Sequence, residues 1–286
     1  MLTILFDGIA YGMLLFILAC GLTITLGLMN FINLAHGAFA MTGGYVTVVM
    51  MNRYGLSFYW CLPAAFIVSA ALGAILERTL YRQLYQASHL DQVLFSVGLV
   101  FMAVAAADYV MGGQQQLIQL PPELSGRTEI LGIGIGRYRM FTVVVCALLA
   151  IGLQIILSKT RFGSRLRAAV DDRRVAMGLG INVPIVFALT FAFGSGLAGL
   201  GGAMGAEILG LDPNFPLKFM IYFLIVVAVG GTSTVSGPFL AAILLGIADV
   251  AGKYYVPAIG PFVIYGLMII MLIVRPNGLF ARGGAR

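Results

Sequence analysis

The sequence predicts an all-α membrane protein, a polytopic bundle of about eight or nine transmembrane helices, some of them short or broken. Three observations predict it. The chain of 286 residues is 60% apolar and only 10% charged, with a mean hydropathy of +1.01, where a soluble domain carries about 25% charged residues. Residues 8–52, 175–206, 219–248 and 254–274 contain no Asp, Glu, Lys or Arg. A span needs roughly 20 mostly apolar residues, so each block reaches one crossing and the longer ones reach two. Finally, no run of short alternating strands is present, which excludes a barrel and leaves helices to pair the backbone in hydrocarbon. The shortage of charge runs from end to end, so 1–286 reads as a single transmembrane domain.

Spans are expected near residues 2–28, 38–51, 60–76, 93–111, 140–158, 184–209, 216–232, 237–252 and 258–275. The first contains no basic residue and is read as a retained span rather than a cleaved leader. Orientation follows from Lys and Arg. The densest basic cluster is the loop 159–182, with Lys159, Arg161, Arg165, Arg167, Arg173 and Arg174, and it is placed in the cytoplasm. Alternation then puts Arg78, Arg82, Arg275, Arg282 and Arg286 inside as well, and leaves Arg53, Arg127, Arg137, Arg139, Lys218 and Lys253 outside with the N-terminus. Arg137 and Arg139 run against this asymmetry. The net charge of +6 is thereby accounted for by short loops, without nucleic acid. Residues 112–139 form the longest outside segment, rich in Gly, Gln and Pro, and read as an ordered loop or small cap.

Chemistry is sparse. Cys20, Cys61 and Cys146 lie in apolar runs with no CxxC or Cys/His cluster, so neither a disulfide framework nor a metal site is supported. Asn30, Asn33 and His36 interrupt an apolar run, and a polar residue there must face protein or water. Two uses are open: lining of a translocation pathway, or interhelical hydrogen bonds worth about 0.6 to 2 kcal/mol each. A second interruption, GGTSTVSGP at 230–238, carries Thr232, Ser233 and Ser236 and echoes the first, as paired breaks in transporters do. Gly194, Gly196, Gly199, Gly202 and Gly205 belong to a stretch of one span where small residues recur at four-residue spacing (Ser195 with Gly199, Ala198 with Gly202, Gly201 with Gly205), a helix-packing pattern rather than a nucleotide loop. Asp108, Glu207 and Asp249 stand near span ends, where each could meet a charged group or rest at the interface. No acid/base pair or nucleophile triad can be assembled, so no catalytic residue is assigned. The loop 159–182 is too long for a turn. Its stretch 163–178 predicts a cytoplasmic amphipathic helix suited to a groove on a soluble partner or to the lipid surface. No Gly-x-x-x-x-Gly-Lys motif is present, so any ATP is used by partner subunits and no cofactor is bound by this chain.

The segment GLTITLGLMNFINLAHG at 21–37 resembles the signature of the permeases of branched-chain amino acid ABC importers. RAAVDDRRVAMGLGIN at 167–182 resembles their coupling loop, GGTSTVSGP at 230–238 their later glycine-rich break, and RPNGLF at 275–280 their ending. The start is similar to the shorter of the two permease types. The resemblance implies a multi-pass subunit of a bacterial inner membrane, in contact with membrane lipid and paired with a second homologous permease as a heterodimer. It also implies two cytoplasmic ATPase subunits and a periplasmic substrate-binding protein. Arg165, Arg167, Ala168, Asp171, Asp172, Arg173, Met177 and Gly178 would form the ATPase-coupling surface. One departure stands out: Ala168 and Ala169 follow Arg167, where many ABC importers have Glu. The substrates implied are branched-chain or related amino acids, with urea, short amides and aromatic acids as alternatives. A secondary carrier would need ionisable groups at mid-membrane, whereas the acids here sit near span ends. A channel would be marked by ATP-independent flux.

Overall fold

A computed structural model describes residues 1–29, 31–130, 133–231, 234–275 and 278–279. Among them, helices account for every predicted span: α1 (Leu2–Met29), α2 (His36–Tyr54), α3 (Phe58–Thr79), α4 (His89–Met111), α5 (Arg137–Lys159), α8 (Val183–Leu209), α9 (Phe215–Gly230), α10 (Ser236–Tyr255) and α11 (Gly260–Val274). By length and composition the described residues hold six spans, not the eight or nine expected. Six helices, α1, α3, α4, α5, α8 and α10, are long and apolar enough to cross a bilayer, and α9 and α11 are shorter. α2 has the length, 19 residues, but carries Gly, Thr, Asn and Arg and is largely buried in protein.

Helix ends follow local chemistry. Ser88 and Asp91 cap α4 reciprocally, satisfying two orphan amides. Asn182 caps α8 ahead of Pro184, whose missing N–H costs nothing in a first turn. At the other end of α2, Gly55 takes a left-handed conformation (φ 63°) and its N–H returns to the Met51 carbonyl. The outside loop carries a two-stranded hairpin, β1 (Arg127–Ile130) and β2 (Ile133–Gly136). Upstream of it, Gln116 pairs in antiparallel fashion with Leu211.

The core is α1 and α8, both buried over most of their length. α10 lies along α1, α2 and α3 lie along α8, and α2 and α9 touch each other. The long–short–long series α1–α2–α3 is thus answered by α8–α9–α10, with partners exchanged. The break between α1 and α2 is thereby answered by residues 210–214, between α8 and α9.

Close backbone approach makes this possible. A Cβ added at Gly202 would fall 1.8 Å from the Ala40 carbonyl oxygen, at Gly43 2.1 Å from that of Gly199, and at Gly199 2.1 Å from the Ser69 hydroxyl. Gly194 faces Gly21, and Gly196 receives the Phe66 ring. The α1–α10 seam uses the same device, with Gly12 against Ala242 and Gly246 against Gly12. In contrast α4 and α5 are mostly exposed and present Leu94, Phe101, Met102, Val144, Leu148 and Ile151 to lipid. Tyr54, Tyr59, Trp60, Tyr109, Tyr254 and Tyr255, all exposed, cluster at the outside helix ends, where amphipathic rings mark a membrane interface.

Gly202→Ala is expected to destabilise the protein by about 1–3 kcal/mol or more through overpacking. Gly152→Ala, on the lipid side with nothing within 4 Å, should be neutral or stabilising by up to about 1 kcal/mol. Thermal unfolding of the two variants in detergent checks the contrast.

Candidate functional site

The break after α1 places its polar residues in a closed network. The Ile32 N–H donates to Gln92 Oε1 at 3.1 Å, and Gln92 Nε2 donates to the carbonyls of Leu84 and Ala87. The Tyr81 hydroxyl donates to Asn33 Oδ1 at 3.0 Å. The Tyr85 hydroxyl donates to Glu77 Oε1 at 2.7 Å, and burial, reinforced by that carboxylate, holds its phenol well above the ordinary value. The Phe31 ring meets Tyr81 and Tyr85 edge-on. His36 opens α2 with its ring buried and Nε2 2.8 Å from the Leu18 carbonyl. Its Cε1 occupies the space that a side chain at residue 21 would need, which explains Gly21.

Asn33 and His36 are therefore brought together: His36 fastens α2 to α1, and Asn33 fastens the break to Tyr81 between α3 and α4. Asn33 Nδ2 has no hydrogen-bond partner and is the one unspent donor in this network. Asn30, Thr232 and Ser233 lie outside the described residues. Ser236 is exposed at the start of α10 and lines a mostly apolar cavity of about 340 Å³ with Phe16, Ala150, Gln154 and Phe239; neither Asn33 nor His36 lines it. Tyr81 and Gln92 escaped sequence reasoning, though a Gln inside an apolar run was a legible signal.

The loop 159–182 forms two helices rather than one, α6 (Arg161–Asp171) and α7 (Arg173–Gly178). The break falls at Asp172, whose side chain leaves the helix path to accept from the N–H groups of Arg174 and Val175. Phe162, Leu166 and Ala169 turn toward the bundle. Gly163 sits against the Leu157 carbonyl, where a Cβ would come within 2.1 Å. Arg167 does not project freely: its guanidinium donates to the Leu157 carbonyl and ties α6 to the end of α5. Arg165, Asp171, Met177 and Gly178 are exposed, and Ala168 and Arg173 are partly so. Val170, Val175, Met177 and Leu179 form an exposed apolar group among these charges.

A polar cavity of about 430 Å³ is lined by Ile118, Leu120, Leu124, Tyr138, Arg139, Glu207 and Ile208, with others. Arg139 pairs with Asp7 of α1, and the Tyr138 hydroxyl donates to the Met204 carbonyl at 2.5 Å. Lys218 pairs with Asp212, and Lys253 with the buried carboxylate of Asp249. Asp108 is exposed near the end of α4.

A buried helical core, lipid-facing outer helices, interrupted spans and a charged helical module on one face define a subunit of a membrane transport system. Comparison with known proteins makes the class definite. Residues 4–272 match the profile of the branched-chain amino acid transport system permease component, and the chain belongs to that family. It is 28% identical to the high-affinity branched-chain amino acid transport system permease protein BraD of Pseudomonas aeruginosa, over 97% of this chain and 95% of the relative. Identity to the corresponding protein LivH of Escherichia coli is 26%, over 97% and 94%. LivM of the same organism is 27% identical, over 93% of this chain and 68% of its own length. No solved structure matches.

Replacing His36 by Ala removes a buried ring and the link to Leu18. The apparent unfolding temperature should fall, with a loss of at least about 2 kcal/mol. An unchanged unfolding temperature with impaired solute uptake would instead assign His36 to the pathway.

Proposed function

We propose that this chain is the translocation subunit of an ATP-driven importer for branched-chain amino acids. The observation that carries the reading is the end-to-end family match, residues 4–272 of 286. It works beside a second, related permease; LivH and LivM relatives both align with nearly all of this chain. Two cytoplasmic ATPase subunits supply the energy, and a soluble binding protein selects and delivers the solute at the outer face of a bacterial inner membrane.

The α6–α7 module is the docking surface for an ATPase. Its inward residues and the Arg167 tie fix it rigidly to α5. Its outward face presents Val175, Met177 and Leu179, apolar groups that gain by entering a groove on a soluble partner. Movement of the ATPase then shifts α5 and α8, which flank the module, and reorients the two halves about the pathway. Asn33 and His36 serve this cycle as the fixed point between α1 and α2, and Ser236, at the start of α10, serves at one end of the pathway.

Cells lacking this chain should lose uptake of leucine, isoleucine and valine at low external concentration; unchanged uptake of all three rejects the substrate class. Leu179→Asp should leave the protein in the membrane at normal level. It should lower solute-dependent ATP hydrolysis of the reconstituted complex at least about tenfold, a loss of about 1.4 kcal/mol in coupling. Intact coupling would move the docking surface elsewhere.

A further inference from the structure

The polar cavity has a composition that pathway reasoning did not use. Glu207 stands at the end of α8 with its carboxylate on the cavity and no ion-pair partner among the described residues. Arg139 stands at the start of α5. Its contact with Asp7 runs through one terminal nitrogen, and its side chain stays 44% exposed. A guanidinium carries five N–H donors, so Arg139, which lines the cavity, keeps donors beyond its Asp7 contact. Between these charges lie four apolar side chains, Ile118, Leu120, Leu124 and Ile208. Ile118 and Leu124 are buried, so this wall is built into the fold. The roof is fastened too: the Gln116 N–H donates to the Leu211 carbonyl at 2.8 Å, tying the loop to the α8–α9 break.

We propose that this cavity is a low-affinity receiving site for a zwitterionic α-amino acid with an aliphatic side chain. Glu207 takes the ammonium group, and Arg139 takes the carboxylate through its free donors. Ile118, Leu120, Leu124 and Ile208 take the aliphatic side chain. The volume, about 430 Å³, falls in the range of small-molecule sites, about 300–1,000 Å³. The assignment rests on the amino acid transport reading and adds a place to it: solute released from the binding protein is held at the outer end of α8 before it passes inward. Charge pairs near the surface are weak in isolation, which suits a site that must release its ligand in each cycle.

The test uses the full chain in lipid nanodiscs without a binding protein, and equilibrium dialysis of L-leucine. Two analogues probe the wild-type fold directly: 4-methylpentanoate lacks the ammonium group, and 3-methylbutylamine lacks the carboxylate. Each should bind about two- to fivefold more weakly than leucine, the factor that loss of one exposed charge contact carries. Glu207→Gln should weaken leucine by a similar factor and leave 4-methylpentanoate unchanged. Arg139→Gln also removes the Asp7 pair, so the analogues, not that variant, carry the carboxylate arm. Equal binding of leucine and both analogues overturns the site, as does unchanged leucine affinity in Glu207→Gln or no leucine binding by the wild type. Normal leucine uptake by cells carrying Glu207→Gln, where deletion of the chain abolishes uptake, overturns the site and leaves the transport function standing. Uptake that survives deletion overturns the transport reading itself.

Discussion

Everything in this bundle depends on how closely other helices approach the glycine face of α8. Lipid tails are as apolar as the side chains they would meet, so burial alone does not drive helices together in a membrane. Association then rests on van der Waals contact and on hydrogen bonds, both of which need short distances. Gly194, Gly199 and Gly202 provide them by letting α1, α2 and α3 come against the backbone of α8. Once α2 lies there, most of its length is buried against protein. That is why a helix with Thr42 and Thr47 can stand inside a membrane bundle; the two donate back to the carbonyls of Ala38 and Gly43.

The same constraint shapes the breaks. At residues 31–35 the chain leaves helical geometry, and its exposed backbone and side-chain groups must find partners in a dry environment. Gln92, Tyr81 and Leu18 supply them. At the inner end of α9 the tail returns: the Leu279 N–H donates to the Val229 carbonyl, and Gly278 packs on Gly231. Gly278 and Leu279 thus close the α9 terminus. Rigid seams at α8 and α1 are what a subunit needs if its halves are to move as bodies.

Much of this was legible in the sequence, because hydropathy and length report directly on spanning helices. The small residues at 194–205 were legible as a packing face for the same reason: spacing alone puts them on one side of a helix. Three things were not. The split of 163–178 depends on Asp172, whose carboxylate competes for backbone N–H groups; good helix formers on both sides hide that competition. The pairing of the 30–35 break with 210–214 is a relation between helices and leaves no mark in local composition, whereas the likeness to 230–238 was only compositional. Arg139 looked like an orientation anomaly because its partner Asp7 lies 132 positions earlier in the chain. The polar cavity draws Tyr138, Glu207 and the 118–124 loop from distant segments, and only the fold assembles them.

The central claim is that this chain moves solute only when driven by separate ATPase subunits. Proteoliposomes containing the permease pair, with and without the ATPases and with internal or external ATP, test it most directly against an imposed ion gradient. The account predicts leucine accumulation only when the ATPases are present and ATP is on their side, with none from the ion gradient alone. Accumulation driven by the gradient in vesicles without ATPases, or leucine flux through the permease pair by itself, would contradict it.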